Sequence, residues 1–314
     1  GVFPINPTTR TFQYSVEQGF EQGWKIRIVG YVMKPPIPDI CLNFGLERTT
    51  TYDLQDAANA YGYGVAVDNL NNTYITGEQF TPAKGLDMYV IKYDANGALV
   101  WRDVYDVIVS PDESGNESGH GIAVTPDGSA VYVGGSQRYS DLSTSTSDVF
   151  VRKYDAAGNF VWMRTYDSGS DRDSALAAAV DSAGNVYVAG HRGKAAGLGV
   201  EAILLSYTAS GTLRAGFPPM VFSSAYNSSA LGVTVSGSSV YITGYGQPSQ
   251  NDSDMFVHQY TTSGAWVWSG TYQSSPEIVA EMGYGVSVDS GGNMFVMGYT
   301  GSSGGHLFLR KYNP

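Results

Sequence analysis

Residues 61–105, YGYGVAVDNLNNTYITGEQFTPAKGLDMYVIKYDANGALVWRDVY, decide the fold. A small-residue entry, Gly62 to Gly64, leads into four apolar runs with strand-like alternation. These are Val65–Asp68, Thr73–Gly77, Met88–Tyr93 and Ala98–Tyr105, and the chain beyond residue 110 repeats them. A four-stranded unit used over and over is the mark of a β-propeller.

The glycine that closes the second run sets the register. It recurs as Gly30, Gly77, Gly135, Gly190, Gly244 and Gly298, at intervals of 47, 58, 55, 54 and 54 residues. Propeller blades repeat at about 40–50 residues, and these lie slightly above that. First strands read VAVD (65–68), IAVT (122–125), AAVD (178–181), VTVS (233–236) and VSVD (286–289), with YSVE (14–17) as a sixth. The small residues ahead of them, Gly64, Gly121, Ala177, Gly232 and Gly285, suit strands crowding a narrow axis, so this strand is expected innermost. Asp and Asn followed by Gly, as in Asp94–Gly97 and Asp155–Gly158, supply the positive φ of tight hairpins. The remaining connections are long and variable, and the alternation puts them all on one face, where propellers usually bind.

The expected architecture is therefore all-β, a single propeller of six four-stranded blades. The blades fall at about 11–53, 61–107, 118–168, 174–222, 229–274 and 282–314 plus 1–6. The last unit stops after its third strand at Tyr312, and KYNP followed by GVFPINP mimics KYDAAGNFVW at 153–162. Val2, Phe3, Pro4 and Ile5 are accordingly expected to form the outer strand beside Leu307, Leu309 and Tyr312. An open sheet edge there would invite association, so closure in the same chain, or strand addition into a filament, follows from this reading.

The pattern VAVDxxxNxYITG…DMYVIKYDxNGxLVW resembles the bacterial and archaeal SBBP repeat and, more distantly, the NHL repeat. The likeness covers residues 61–314 well and 11–53 weakly. It implies a secreted or cell-surface location more than any activity.

Composition narrows the function classes. A net charge of −11 without a Lys/Arg run argues against nucleic acid and anionic membrane as partners. No apolar run approaches the roughly 20 residues that span a bilayer. The opening GVFPINP reads as a mature or processed start. Cys41 is the only cysteine, which excludes an intrachain disulfide. Asn71, Asn116, Asn227 and Asn251 head glycosylation sequons.

No nucleophile elbow, Walker loop, CxxC pair or HExxH helix is present. The leading expectation is thus a non-enzymatic extracellular propeller for adhesion, surface coating or assembly, with a protein or glycan surface as partner. The alternative is a glycan-binding propeller using a tyrosine crown at the variable-loop mouth: Tyr31, Tyr63, Tyr245, Tyr284 and Tyr299, with Glu78 among them. A second alternative is a metal-dependent hydrolase or lyase with His120 and His191 around a metal; of the four histidines these two and His306, but not His258, could face that mouth. No two histidines share a blade position, which weighs against it. No cofactor is expected apart from Ca²⁺, whose candidate ligands are Asp167, Asp171 and Asp173 in DSGSDRDS. That loop lacks a calcium-loop signature, and a solvated turn is the favoured reading. Asp87, Asp148, Glu201 and Asp254, which open the third strands, are read as structural acceptors for their own loops. Trp101 with Tyr105, Trp162 with Tyr166 and Trp268 with Tyr272 are read as packing between blades.

Overall fold

The computed structural model describes residues 59–314 except 83, 111–112, 139–145, 170–171, 195–198, 218, 274–279 and 302–304. The chain divides into a unit of residues Gly1–Thr49 and a unit of Thr50–Pro314, and all the described residues belong to the second. The expected first blade (11–53), its Tyr31, and the expected closing strand Val2–Ile5 lie outside the described residues.

Among the described residues the secondary structure is β throughout. Strands β1 (Asn59–Val67), β2 (Thr73–Thr81), β3 (Gly85–Tyr93) and β4 (Leu99–Tyr105) form one antiparallel sheet in chain order. After a short pair, β5 (Ile108–Ser110) with β6 (Glu113–Ser114), the pattern recurs as β7 (Asn116–Val124), β8 (Ala130–Arg138), β9 (Ser147–Asp155) and β10 (Phe160–Tyr166). The third sheet is β11 (Ser174–Val180), β12 (Val186–Gly193), β13 (Val200–Tyr207) and a short β14 (Met220–Phe222). Next come β15 (Ser228–Ser236), β16 (Ser239–Ser249), β17 (Asp252–Thr261) and β18 (Trp266–Tyr272). Strands β19 (Ala280–Val288), β20 (Met294–Gly301) and β21 (His306–Tyr312) complete the series, joined to β17 by one parallel bridge, Ser253 to Ala280. The described residues thus hold five repeats in succession, the last with three strands.

The inner-strand expectation is met by direct crowding. A Cβ on Gly64 of β1 would sit 2.7 Å from the His120 carbonyl oxygen of β7. On Gly121 it would lie 2.5 Å from the Ala177 carbonyl carbon of β11, and on Gly232 of β15 3.0 Å from the Tyr284 oxygen of β19. Neighbouring first strands therefore pack backbone to backbone, which only minimal side chains permit.

One irregularity explains the register glycine. Each inner strand carries a β-bulge at the same place, so that pairing skips Tyr63, His120, Leu176, Leu231 and Tyr284. The bulge pushes the preceding stretch of backbone toward the second strand. A Cβ at Gly77, Gly135, Gly190, Gly244 or Gly298 would overlap the carbonyl oxygen of Tyr61, Ser118, Ser174, Ser229 or Met282 respectively. The recurrent glycine is the space the bulge needs, and the bulge re-aims one side chain per repeat.

Hairpin turns behave as their Asp–Gly spacing predicts. The Asp289 carboxylate accepts the Gly291 and Asn293 amides at 2.9 and 2.8 Å, and Gly292 takes φ 81°. Outer-strand tryptophans reach into the following repeat: Trp101 Nε1 donates to the Ala156 oxygen at 3.2 Å and Trp162 Nε1 to the Ala209 oxygen at 3.0 Å. Between the first two sheets the Arg152 guanidinium lies over the Tyr105 and Phe160 rings, 4.0 and 4.4 Å from their centroids, and donates to the Tyr154 hydroxyl at 2.9 Å. Apolar side chains of the first and last repeats stay exposed, among them Val65, Val67, Met297, Leu307 and Leu309.

Candidate functional site

The bulges decide which side chains meet at the mouth. Tyr63 on β1 and His120 on β7 are both bulge residues, and their rings lie 5.0 Å apart, tilted by 37°. The Tyr63 hydroxyl donates to Glu78 Oε1 at 2.8 Å, Glu78 being the residue just after the register glycine on β2. Tyr61 stacks beside Tyr63 at 6.5 Å, and both rings are about half exposed. On β12 His191 occupies the position of Glu78, and its Nδ1 lies 3.1 Å from Ser229 Oγ on β15. Cross-strand from Ser229 is Tyr245, which feels the bulge residue Tyr284 of β19. Glu78, Tyr63, His120, His191, Ser229, Tyr245 and Tyr284 therefore follow one another from repeat to repeat.

Burial governs the protonation of this set. It lowers the His120 imidazole, against a weaker pull from Glu78. His191 is pushed down to about 4, first by burial and then by His120 and Arg172. Both imidazoles are neutral at neutral pH and keep a lone pair for a proton. Tyr63 is raised far above its ordinary value by burial and by its bond to the Glu78 carboxylate, so its hydroxyl keeps its proton. The arrangement holds two neutral bases beside a protonated phenol, with the Arg172 cation near the second base.

Of the mouth residues named from sequence, Tyr63, Glu78, His120, His191, Tyr245 and Tyr284 are brought together. Tyr299 follows the register glycine of β20, where its ring presses on Gly305. Ser229, Arg172 and the stacked Tyr61 were not among the candidates; each lies within a few residues of a quoted first strand, but only the bulge reveals its aim. His258 belongs to the interior, wedged 4.8 Å from both the Phe222 and Phe256 rings. Among the described residues no group of three closely placed metal-type ligands includes a histidine. The His120–His191 metal expectation thus lacks a third ligand there.

A second constellation lies farther out, at the junctions between repeats, and it corrects the reading of the third-strand carboxylates. Asp87, which opens β3, meets Asp106 after β4 and Glu117 at the start of β7. Asp148 meets Asp167 and Asp173 in the same way at the next junction, and Asp254 meets Asp252 and Glu281 at the last. Two of the three calcium candidates, Asp167 and Asp173, therefore share a cluster, with Asp148 as their companion; Asp171 lies outside the described residues. Asp173 also caps its own loop, accepting the Ser168 and Gly193 amides at 2.6 and 2.9 Å. Burial first, then the neighbouring carboxylates, raises Asp148 to about 6 and Asp254 above its ordinary value.

The sequons separate into two kinds. Asn71 and Asn251 are exposed. Asn116 Oδ1 accepts the Leu86 amide at 3.1 Å, and Asn227 bridges the Val200 amide and the Gln247 side chain at 3.0 and 2.7 Å. Those two amides tie neighbouring repeats together, a use that competes with glycan attachment.

No protein-family model matches the chain. Over 184 residues, 51% of the chain, it is 30% identical to the regulatory protein FlaEY of Caulobacter vibrioides, of whose length it spans 18%. Among solved structures it is similar to a polysaccharide lyase, an ulvan lyase, with a TM-score of 0.50, 11% identity and coverage of 81% of this chain and 64% of that one. A thermostable family-43 glycoside hydrolase gives a TM-score of 0.43 at 12% identity, covering 84% and 96%. At such identities the likeness is one of fold, and the β-propeller reading rests on it together with the repeats. It also overturns the expectation of a non-enzyme. That expectation rested on the absent catalytic constellation, the acidic charge and the repeat likeness, yet a solved structure with this fold is a polysaccharide lyase.

Proposed function

We propose that the chain is a carbohydrate-active propeller that cleaves an acidic polysaccharide by β-elimination at the mouth built by Tyr63, Glu78, His120 and His191. The observation that carries the reading is the Tyr63–Glu78 hydrogen bond beside a neutral, half-buried His120. Hydrolysis of a glycosidic bond normally uses two carboxyl groups across the bond. The described crown offers one, Glu78, already engaged by Tyr63, and offers imidazoles and a phenol instead. In elimination, His120 takes the proton next to a uronate carboxylate. The electron pair forms the ring double bond and expels the glycosidic oxygen, which Tyr63 protonates. Arg172, near His191, is suited to hold the uronate carboxylate. The flat faces of Tyr61 and Tyr284 are available for sugar stacking.

The SBBP-like repeat and an extracellular site of action belong to the same proposal, since polysaccharides of this kind lie outside cells. The six-blade count is likewise proposed, on the repeat spacing that places Gly30 one interval before Gly77.

The test is incubation with uronate-containing polysaccharides, following the ultraviolet absorbance of the unsaturated product. Tyr63→Phe and His120→Ala should each lower turnover by about 10²-fold. Binding without absorbance change, or activity indifferent to both variants, would remove the elimination reading.

A further inference from the structure

The junction between the first two described repeats carries features that the mouth does not use. Asp87 and Glu117 are 2% and 0% exposed, and Asp106 is half buried beside them. Asp87 Oδ1, Asp106 Oδ1 and Glu117 Oε1 are each buried without a hydrogen-bond partner. The second oxygens are all used: Gln79 Nε2 lies 3.5 Å from Asp87 Oδ2, the Val107 amide donates to Glu117 Oε2 at 3.0 Å, and Lys84 Nζ stands 3.4 Å from Asp106 Oδ2. The free oxygens are the costly ones, because a buried carboxylate oxygen with no donor forfeits its hydration for nothing. One oxygen from each of the three residues lies within 4.8 Å of the others, about twice a Ca²⁺–oxygen distance of roughly 2.4 Å.

The backbone keeps this point open. A Cβ at Gly115 would meet Glu117 Oε1 in its present position and lie 3.0 Å from the Arg138 carbonyl oxygen, so the glycine leaves room for the carboxylate. Its amide is turned away to the Val107 oxygen at 2.6 Å. The fourth-repeat boundary provides an internal contrast. At the equivalent positions stand Glu201, Ser223 and Ser228, and Arg192 pairs with Glu201 at 3.0 Å. With one carboxylate the fold supplies an arginine; with three, the cation found among the described residues is the exposed Lys84 at the rim.

We propose that the first junction is a calcium site, in which Asp87, Asp106 and Glu117 each give a carboxylate oxygen to one Ca²⁺ and water completes the shell. An all-oxygen, all-carboxylate donor set suits a hard cation over zinc or copper, and three carboxylates are balanced by a divalent ion plus Lys84. The site pins β3, β4 and β7 together, so its role is to lock adjacent blades. It stands independently of any chemistry at the mouth.

Calorimetric titration of the chelator-treated full chain with CaCl₂ counts the ions bound. An Asp87→Asn, Glu117→Gln double variant should bind one Ca²⁺ fewer than the parent, and Asp106→Asn alone should weaken one site by at least about tenfold. Glu201→Gln should leave the count unchanged. If the double variant fails to fold, Asp106→Asn decides. A parent that binds no Ca²⁺, or variants whose count and affinities match the parent, would overturn the site.

Discussion

The first and third junctions solve one electrostatic problem in opposite ways. Both place a carboxylate at the opening of the third strand, Asp87 or Glu201, against the first strand of the next repeat. At the third junction the cross-strand partner is Arg192 and the adjacent positions are serines, so Glu201 is held below its ordinary range, first by the Ser223 hydroxyl and then by Arg192. At the first junction the cross-strand partner is Gln79 and the adjacent positions are Asp106 and Glu117, so Asp87 and Glu117 are pushed up instead, by burial first and then by neighbouring carboxylates. The backbone slot is the same. What differs is whether the counter-charge is covalently part of the chain or has to be recruited.

The comparison assumes a shared frame, and that is its most breakable part. Gly135→Ala and Gly190→Ala should each cost about 3 kcal/mol of stability, because either Cβ would strike a bulge carbonyl that cannot retreat. Denaturant unfolding of both variants checks this; tolerance of only one would mean the two repeats do not share the bulge constraint.

A smaller effect sharpens the charge difference. Arg192→Leu strands the Glu201 carboxylate and should destabilise by about 2 kcal/mol, while Glu117→Gln, measured with chelator present, should stabilise by about 1 kcal/mol. Equal signs for the two would show that the first junction is not a site of uncompensated charge.

The pH dependence carries the smallest and most selective signal. Glu117 has a folded value of about 8 against an ordinary 4.5, so the folded chain holds a proton that the unfolded chain has released. Its stabilisation is complete below 4.5 and is lost as pH rises through about 8. Asp87 and Asp106 face it, and Lys84 pairs with Asp106. Glu201 is lowered, so its contribution is present above the ordinary value and disappears as pH falls through the folded one. Melting profiles in chelator should therefore lose their decline between about pH 4.5 and 8 in Glu117→Gln and part of their acid decline in Glu201→Gln. Added Ca²⁺ should flatten only the first of these.

How much of this could be read in the chain depends on the distance between interacting residues. The turn aspartates, the strand alternation and the Trp–Tyr spacing were legible because each depends on neighbours a few residues away. The strand-three carboxylates were legible as a series, but their companions were not: Asp87 and Glu117 stand 30 positions apart and belong to different repeats. A signal did exist. Counting four residues back from the crowded inner-strand position gives Glu117, Asp173, Ser228 and Glu281, and the one serine in that series falls at the junction where Arg192 pairs with Glu201. At the mouth, the tyrosine crown and two histidines were named, while Ser229 and Arg172 were passed over because nothing local marks them. The non-enzyme expectation failed for the same reason, since it treated the lack of a legible catalytic constellation as the lack of a site.

By itself the sequence determined the repeat, its four strands, the tight turns and the small residues at the axis, all of which follow from backbone sterics and side-chain alternation within one unit. Only the tertiary structure decided that each inner strand bulges at one residue, that Tyr63 meets Glu78 and His120, and that carboxylates from successive repeats share a water-poor junction. The physical reason is that charge interaction depends on distance and on the exclusion of solvent. Neither quantity exists for Asp87 or Glu117 until the next blade has packed against them.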